Sequence, residues 1–514
     1  MTKSPHSPTV LLTGASGLLG RFVLARLLAS GREVAVLVRP THSWTASQRI
    51  EEALAPSEQQ AWLQRPRMLV GDMNNDGLAL GDKDHQWLSQ RPIEVLHCAA
   101  SIRFQCDSAS GEPYRTNVDG TRNLLEVCRR LDVRSFHYVS TAYVGCRIVP
   151  TAGKVNEVVV ADVASGGNDY EKSKIEAEQL IARCPYIGDK TIHRPSIIVG
   201  DSQSSFTSTY HGFYAPLQIG YQLAKHYGFS AEAGQWFRQQ LGLQPEDSKN
   251  LVPVDWVAEA IVRTMDTTSS SCAPATSVRP RILHWTNPHP VPCELLQESI
   301  ATAIEYSSSD KQSAQAAQTR DKQTRDNPSD EIPLSGDFRE QMQVYESYFR
   351  SDPVFDNRQS RALVPDLPCP IVDRAMLLRL AKYAIEQNFG WPKPLPKTLP
   401  HQSLVATLRH FPLSSGPCES QLVLRLLGPG APETLAYGRQ NQSWCLLPAA
   451  AIPLPISASG TLTAPLSLLA DCLSGKTNLP LAIEQGYCIM EGCLPQECLA
   501  LAEHWVHSLH TSLC

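Results

Sequence analysis

A tyrosine and a lysine four residues apart can handle protons together. In "DYEKSKIEAEQL", residues 169–180, Tyr170 and Lys174 stack on one face of a helical pattern. Such a pair can serve as acid and base during hydride transfer, or it can be an ordinary exposed face. Spacing alone does not choose between these. The chain repeats the motif at Tyr186–Lys190 ("YIGDK") and Tyr221–Lys225 ("YQLAK").

A second chemical signal lies at the start of the chain. "VLLTGASGLLGRFVLARLL" puts Gly14, Gly17 and Gly20 after a strand pattern and into a helical one. Glycines there allow a tight turn and close approach of backbone to a pyrophosphate, which the helix N-terminus then attracts. The strand ending "VAVLVRP" carries Arg39, nineteen positions after Gly20, where NAD-binding proteins often have an acidic residue. A guanidinium there pairs with a 2′-phosphate and favours NADPH, with Arg21 near enough to assist. Asp72, in "GDM", either accepts from the adenine amino group or ends a turn.

These residues need a scaffold. Over the first 200 positions, β-branched runs ("TVLLTG", "EVAVLVR", "RMLVGD", "EVLHCAA", "FHYVST", "TIHRPSIIVG") alternate with amphipathic helical periods. The alternation predicts an α/β, Rossmann-type doubly wound parallel sheet, joined at "RILHWTN" by one more strand. Residues 305–335 hold almost no large apolar side chains and are expected to form a disordered linker. A helical connecting segment over 336–400 follows, with "RAMLLRLAKYAIEQNFGW" at its centre. A smaller α+β domain over 401–514 completes the expected order, with strand-like runs around a helical "SLLADCLSG".

The chain has 42% apolar and 19% charged residues with a net charge of −5, a profile that argues against a nucleic-acid surface. It has no apolar run of membrane-spanning length and no secretory signal. The fifteen cysteines are expected to be free thiols in a cytoplasmic protein. Cysteine and histidine spacings do not suit zinc, so no metal site is expected.

Several ordered motifs give the first 300 residues a resemblance to the extended short-chain dehydrogenase/reductases, in their thioester reductase and fatty acyl-CoA reductase branch. They are "TGASGLLG", "GDM", "HCAASI", "YRTNVDGTRNLLE", "YVSTAYV", "YEKSK", "HRPSIIVGDS" and "LVPVDWVAEAIV". The resemblance implies a reductase domain over 1–304. It singles out Tyr170 as the catalytic tyrosine, with Lys174 holding the nicotinamide ribose. Lys174 and the nicotinamide charge are then expected to lower the phenol pKa from near 10. Thr141 becomes the third catalytic group, preferred over Ser140 because strand neighbours face opposite ways. Asn117 matches the family asparagine that supports a relay water. Implied cofactor contacts extend to Ser16, Leu18, Leu19, Met73, Ala99, Ala100, Ser101, Pro195, Ser196 and Ile197. His211, Phe213 and Tyr214 are candidates for substrate contact or for packing a lid.

Residues 401–514 are faintly similar to sterol-carrier-like domains through the placement of Gly475, Gly486 and Gly492 and the apolar pattern, so an apolar ligand there is an alternative to plain packing. Three functions are consistent with these residues. The leading one is NADPH-dependent reduction of an acyl thioester, on coenzyme A or a separate acyl-carrier protein, in lipid or natural-product metabolism. The others are ketone–alcohol interconversion on a bulky apolar metabolite and a non-catalytic NADP-binding module.

Overall fold

The structure is a computed structural model that describes residues 8–41, 44–55, 65–146, 153–227, 244–269, 279–315, 350–391 and parts of 420–492. The chain divides into two compact units, Met1–Glu386 and Gln387–Cys514.

The first unit is built on seven parallel strands: β1 (Thr9–Thr13), β2 (Val34–Val38), β3 (Arg67–Val70), β4 (Ile93–His97), β5 (Ser135–Val139), β6 (Asp189–Pro195) and β7 (Arg281–Trp285). Their order, β7-β6-β5-β4-β1-β2-β3, reverses direction between β1 and β4. In open α/β sheets such a switch point leaves a crevice at the strand C-termini. Every residue of β1, β2 and β4 is buried, because helices cover both faces of the sheet. On one face α1 (Leu18–Ala29) and α7 (Val254–Ser269) pack together, placing Val23, Leu24, Leu27, Val257 and Ile261 in one core. On the other face α4 (Gly120–Arg130) and α5 (Asp169–Arg183) contribute Leu124, Val127, Ala177 and Ile181. Further helices are α2 (Ala46–Leu54), α3 (Asp82–Ser89), α6 (Tyr214–Tyr227) and α8 (Cys293–Gln315).

The expected strand "TIHRPSIIVG" is two elements. β6 stops at Pro195, whose nitrogen has no proton to donate to a ladder. Ser196 N–H then donates to Trp285 O and Ile197 N–H to Asn250 O, and Ile197–Val199 pairs with Leu251–Pro253 instead. The chain thereby leaves the main sheet after Pro195.

The expected boundary at 304 also shifts. α8 continues through Gln315, into the stretch expected to be a linker, while 316–349 lies outside the described residues. Residues 350–386, expected to connect domains, are part of the first unit. Val354–Phe355 pairs in parallel with Lys154–Val155. The Glu157 carboxylate accepts from His284 N–H (2.9 Å), Gln359 N–H (3.1 Å) and Ser360 Oγ–H (2.9 Å). α9 (Arg358–Leu363) is followed by α10 (Arg374–Glu386), whose stripe Met376, Leu377, Leu380, Ala381 and Ala384 is buried; α10 packs on α6 and α8.

The second unit holds a mixed five-stranded sheet: β8 (Ser420–Leu427), β9 (Glu433–Gln440), β10 (Ser443–Leu446), β11 (Ser459–Pro465) and β12 (Ile489–Gly492), with the short helix α11 (Leu479–Glu484). The order is β10-β9-β8-β11-β12, with β8 and β11 parallel. Leu422, Leu424, Tyr437 and Leu462 form a core on one face; Ala436, Cys445 and Leu447 cluster separately, with Val423 against them. Gly475 and Gly486 lie outside the described residues.

Candidate active site

The crevice above β1 and β4 opens into a cavity of about 410 Å³, and the sequence motifs meet in it. At one end lies the glycine turn. Gly14 has φ +74°, and a Cβ there would fall 2.5 Å from Ala99 N. A Cβ on Gly20 would fall 2.0 Å from Gly14 O, so side chains at either place would force the turn open. Gly17 begins α1 without any side-chain cap, leaving the first helical turn to a ligand such as a phosphate. Gly14, Gly17, Leu18, Leu19 and Gly20 all line the cavity, so the cradle has the shape that a dinucleotide pyrophosphate needs.

α5 carries the Tyr170–Lys174 pair. Asn168 starts it by accepting from Glu171 N–H at 2.9 Å, and Asp169 and Glu171 sit in the first turn near the positive end of the dipole. Lys174 is buried; its Nζ donates to Val139 O (2.8 Å) and lies 4.7 Å from the Tyr138 ring centroid and 5.9 Å from that of Tyr170. Phe104 meets the Tyr170 ring edge-on at 6.1 Å. Thr141 caps the turn Ala142–Gly145, its Oγ1 accepting from Tyr143 N–H at 3.3 Å, which leaves the hydroxyl proton for another acceptor. Thr141, Tyr170 and Lys174 line the same cavity.

Burial sets the electrostatics. Burial destabilises the Lys174 ammonium and pulls its pKa down to about 7, with Cys98 and Glu178 opposing. The Tyr170 phenol is pushed up, mainly by burial and then by the Glu171 carboxylate. This is opposite to the expected lowering. The protein's own groups hold the phenol protonated, as a hydrogen-bond donor must be. Burial, and then the charge of Lys174, pull His97 down to about 3; its ring bridges Thr13 and Thr121 as a neutral strut.

The other copies of the motif serve different ends. Tyr186 donates its hydroxyl proton to Leu125 O at 2.8 Å, and Lys190 Nζ donates to Cys184 O at 2.8 Å. Tyr221 is buried on α6, and the Lys225 side chain lies outside the described residues.

Several expected contacts are placed elsewhere. Asn117 sits in a widened turn of helix, Arg115–Asp119, with both amide hydrogens spent on Ser101 O and Ser173 Oγ (2.9 Å each). Its oxygen accepts from Ser101 N–H at 2.8 Å, so it clamps the Ser101 loop to α5 rather than facing the cavity. Arg21 is buried against Glu52 (2.9 Å) and over the Phe206 ring, and it also donates to Ser16 O (3.4 Å), so its guanidinium is engaged by the protein itself. Tyr214 is also structural, its hydroxyl accepting from Gly200 N–H. Ala100, Pro195, Ser196, Ile197, His211 and Phe213 line the cavity, while Ser16, Met73, Ala99 and Ser101 are not among its lining residues.

Arg39 is exposed and pairs with Asp72 at 3.1 Å. Sequence reasoning missed its companion, Arg49. The Thr45–Gln48 capping box starts α2 just after β2 and returns Arg49 to the glycine turn. There its guanidinium donates to Ser16 Oγ (2.7 Å) and Arg39 O (2.5 Å). That capping box was the available signal. Tyr143 and Lys249, also missed, line the cavity. Among the described residues, no group of three or more His, Cys, Asp or Glu could hold a metal ion, and no helix is long and apolar enough to cross a membrane.

Comparison with known proteins agrees with this geometry. Residues 12–261 match the family model NAD_binding_4, described as male sterility protein. Fatty acyl-CoA reductase 1 of Pongo abelii is 26% identical over 281 residues, covering 48% of this chain and 52% of that protein. The chain thus spans about half the length of such relatives. The L-2-aminoadipate reductase large subunit of Penicillium chrysogenum is 28% identical over 279 residues, covering 50% of this chain and 18% of the relative. Among solved structures, the terminal R domain from the myxalamid PKS-NRPS biosynthetic pathway superposes with a TM-score of 0.54 at 21% identity. It covers 75% of this chain and 93% of that one, a likeness of fold.

Proposed function

We propose that this chain, whose residues 12–261 match the male sterility protein family model, reduces an acyl thioester to an aldehyde with NADPH. The observation that carries the reading is the convergence of Thr141, Tyr170 and Lys174 on one cavity that the glycine cradle and many apolar side chains also line. Relatives named as acyl-CoA and aminoadipate reductases support the choice of an activated acyl substrate.

The nicotinamide, when bound, supplies the hydride. The chain's own residues do the rest. Thr141 and Tyr170 direct their hydroxyl protons at the thioester oxygen as it gains negative charge, a preorganised pair of donors. Tyr170 gives its proton to that oxygen, completing a hemithioacetal, and takes it back as the carbon–sulfur bond breaks; the sulfur leaves as a thiolate, which picks up a proton from solvent. Lys174, already fixed by Val139 O, has donors left for the ribose hydroxyls. Arg39 and Arg49 flank the place where a 2′-phosphate would sit, which favours NADPH over NADH. Asp72 must then give up part of its hold on Arg39.

The C-terminal sheet, apolar on both faces, supports a second role as a sterol-carrier-like binding unit for an acyl or other apolar ligand. A cytoplasmic location belongs to the same reading. The test is product identification by mass spectrometry. The purified chain, given NADPH and long-chain acyl-CoA or an acyl-carrier-protein thioester, should form the matching aldehyde. Reduction of a bulky ketone with no product from either thioester would replace this reading with ketone–alcohol chemistry.

A further inference from the structure

The family match ends at residue 261, yet the cavity wall is tied to a residue far beyond it. Asp352 lies on the segment just before Val354–Phe355, and its carboxylate is buried. Oδ2 accepts from the Tyr143 hydroxyl (2.5 Å) and from Asn250 N–H (2.7 Å), and Oδ1 accepts from Lys249 Nζ (2.6 Å). Tyr143 and Lys249 both line the cavity. Asn250 extends the network, its side-chain oxygen accepting from the Ser196 hydroxyl at 2.7 Å, and Ser196 lines the cavity too. One carboxylate therefore joins three separate stretches of the wall: the turn after Thr141, the short Ser248–Lys249 strand and the bend after β6.

We propose that Asp352 is a positioning residue for the substrate, holding Tyr143 and Lys249 in the cavity wall. The inference rests on the functional reading above, since it assigns a residue to that same cavity. A buried carboxylate with three donors has no equivalent replacement. In Asp352→Asn the new amide hydrogens must face either the Lys249 ammonium or the Tyr143 and Asn250 donors, so at least one contact turns repulsive. The wall then shifts, and the consequence should appear in substrate binding. The glycine cradle and the Tyr170–Lys174 pair do not touch Asp352, so cofactor affinity should change little.

Steady-state kinetics and cofactor titration on the full chain test this. Asp352→Asn should raise the acyl-thioester KM at least about tenfold, while kcat and the NADPH Kd change by less than about threefold. Tyr143→Phe removes one hydroxyl and keeps the ring on Phe355, 5.8 Å away, so it should raise KM about threefold with unchanged folding. A KM within about twofold of the parent in both variants overturns the proposal. If Asp352→Asn does not fold and Tyr143→Phe has the parent's KM, Asp352 is a structural residue only and the proposal likewise fails. A parent chain that forms no aldehyde from any thioester counts against the functional reading instead. The same KM comparison on whichever carbonyl compound the parent reduces, or the Kd of a fluorescent fatty-acyl probe on the cofactor-loaded chain if it reduces none, then decides the role of Asp352.

Discussion

Tyr170–Lys174 and Tyr186–Lys190 are written alike in the sequence and do different work in the fold. The first pair lies on α5 and lines the cavity, and among the described residues Lys174 Nζ donates to one backbone oxygen and lies near two aromatic rings. The second pair spans the loop into β6, and each polar end is spent on a backbone carbonyl. Burial raises both phenols, so a high pKa does not set Tyr170 apart. What separates them is whether a hydrogen-bonding group has been left for a ligand. The same test separates Asn117, fully taken up by Ser101 and Ser173, from Thr141, whose proton is still available.

The sharpest way to break this comparison is to remove one hydroxyl from each pair. Tyr170→Phe should lower turnover about a thousandfold while cofactor binding by fluorescence titration stays within about twofold. Normal turnover in that variant would show that the comparison assigns the wrong tyrosine.

A smaller effect is expected at the opposite end of the cofactor. Arg39→Asp should weaken NADPH binding about a hundredfold and NADH binding far less, because it reverses charge at the proposed 2′-phosphate. Arg49→Ala should cost NADPH about tenfold, since it removes one guanidinium and loosens Ser16. Equal losses for NADPH and NADH in both variants would remove the arginines from cofactor choice.

The depressed pKa of Lys174 gives a signed prediction for stability. The folded value is about 7 against an ordinary 10.5. Below pH 7 the ammonium is charged in both states, and its burial cost is carried in full. Between about pH 7 and 10.5 the unfolded chain binds more protons, so parental stability rises with pH through that window. Lys174→Met lacks this titration. Its Tm relative to the parent should therefore be highest near pH 6 and decline as pH rises toward 10, even though its activity is lost. A difference in Tm that is constant with pH would contradict the desolvated lysine.

Smallest of all, Tyr186→Phe should cost only about 0.5–1.5 kcal/mol of stability in denaturant unfolding, for one lost hydrogen bond, and leave kcat unchanged.

Much of the scaffold was legible because its signals are local. The β-branched runs became the seven strands, and the order of motifs pointed to Tyr170 over its two copies. The bend after Pro195 escaped notice because an apolar run reads the same across it, although the ladder ends there. Arg49 was hidden because only the return of α2 brings it beside Ser16. The 304 boundary failed for a similar reason. Residues 350–363 are held by Asp352, Glu157 and Ser360, through polar contacts that span up to 209 positions and leave no periodic trace. The direction of the Tyr170 shift was missed because spacing reports the neighbouring lysine and not the depth of burial.

The central claim is that the hydride goes to a thioester carbonyl, and counting thiols against cofactor tests it directly. With acyl-CoA or an acyl-carrier-protein thioester, the chain should release about one free thiol per NADPH oxidised if it stops at the aldehyde. About one thiol per two NADPH would mean that the same site reduces the aldehyde onward to the alcohol. NADPH oxidation by the parent chain with no thiol released from either carrier would contradict the account.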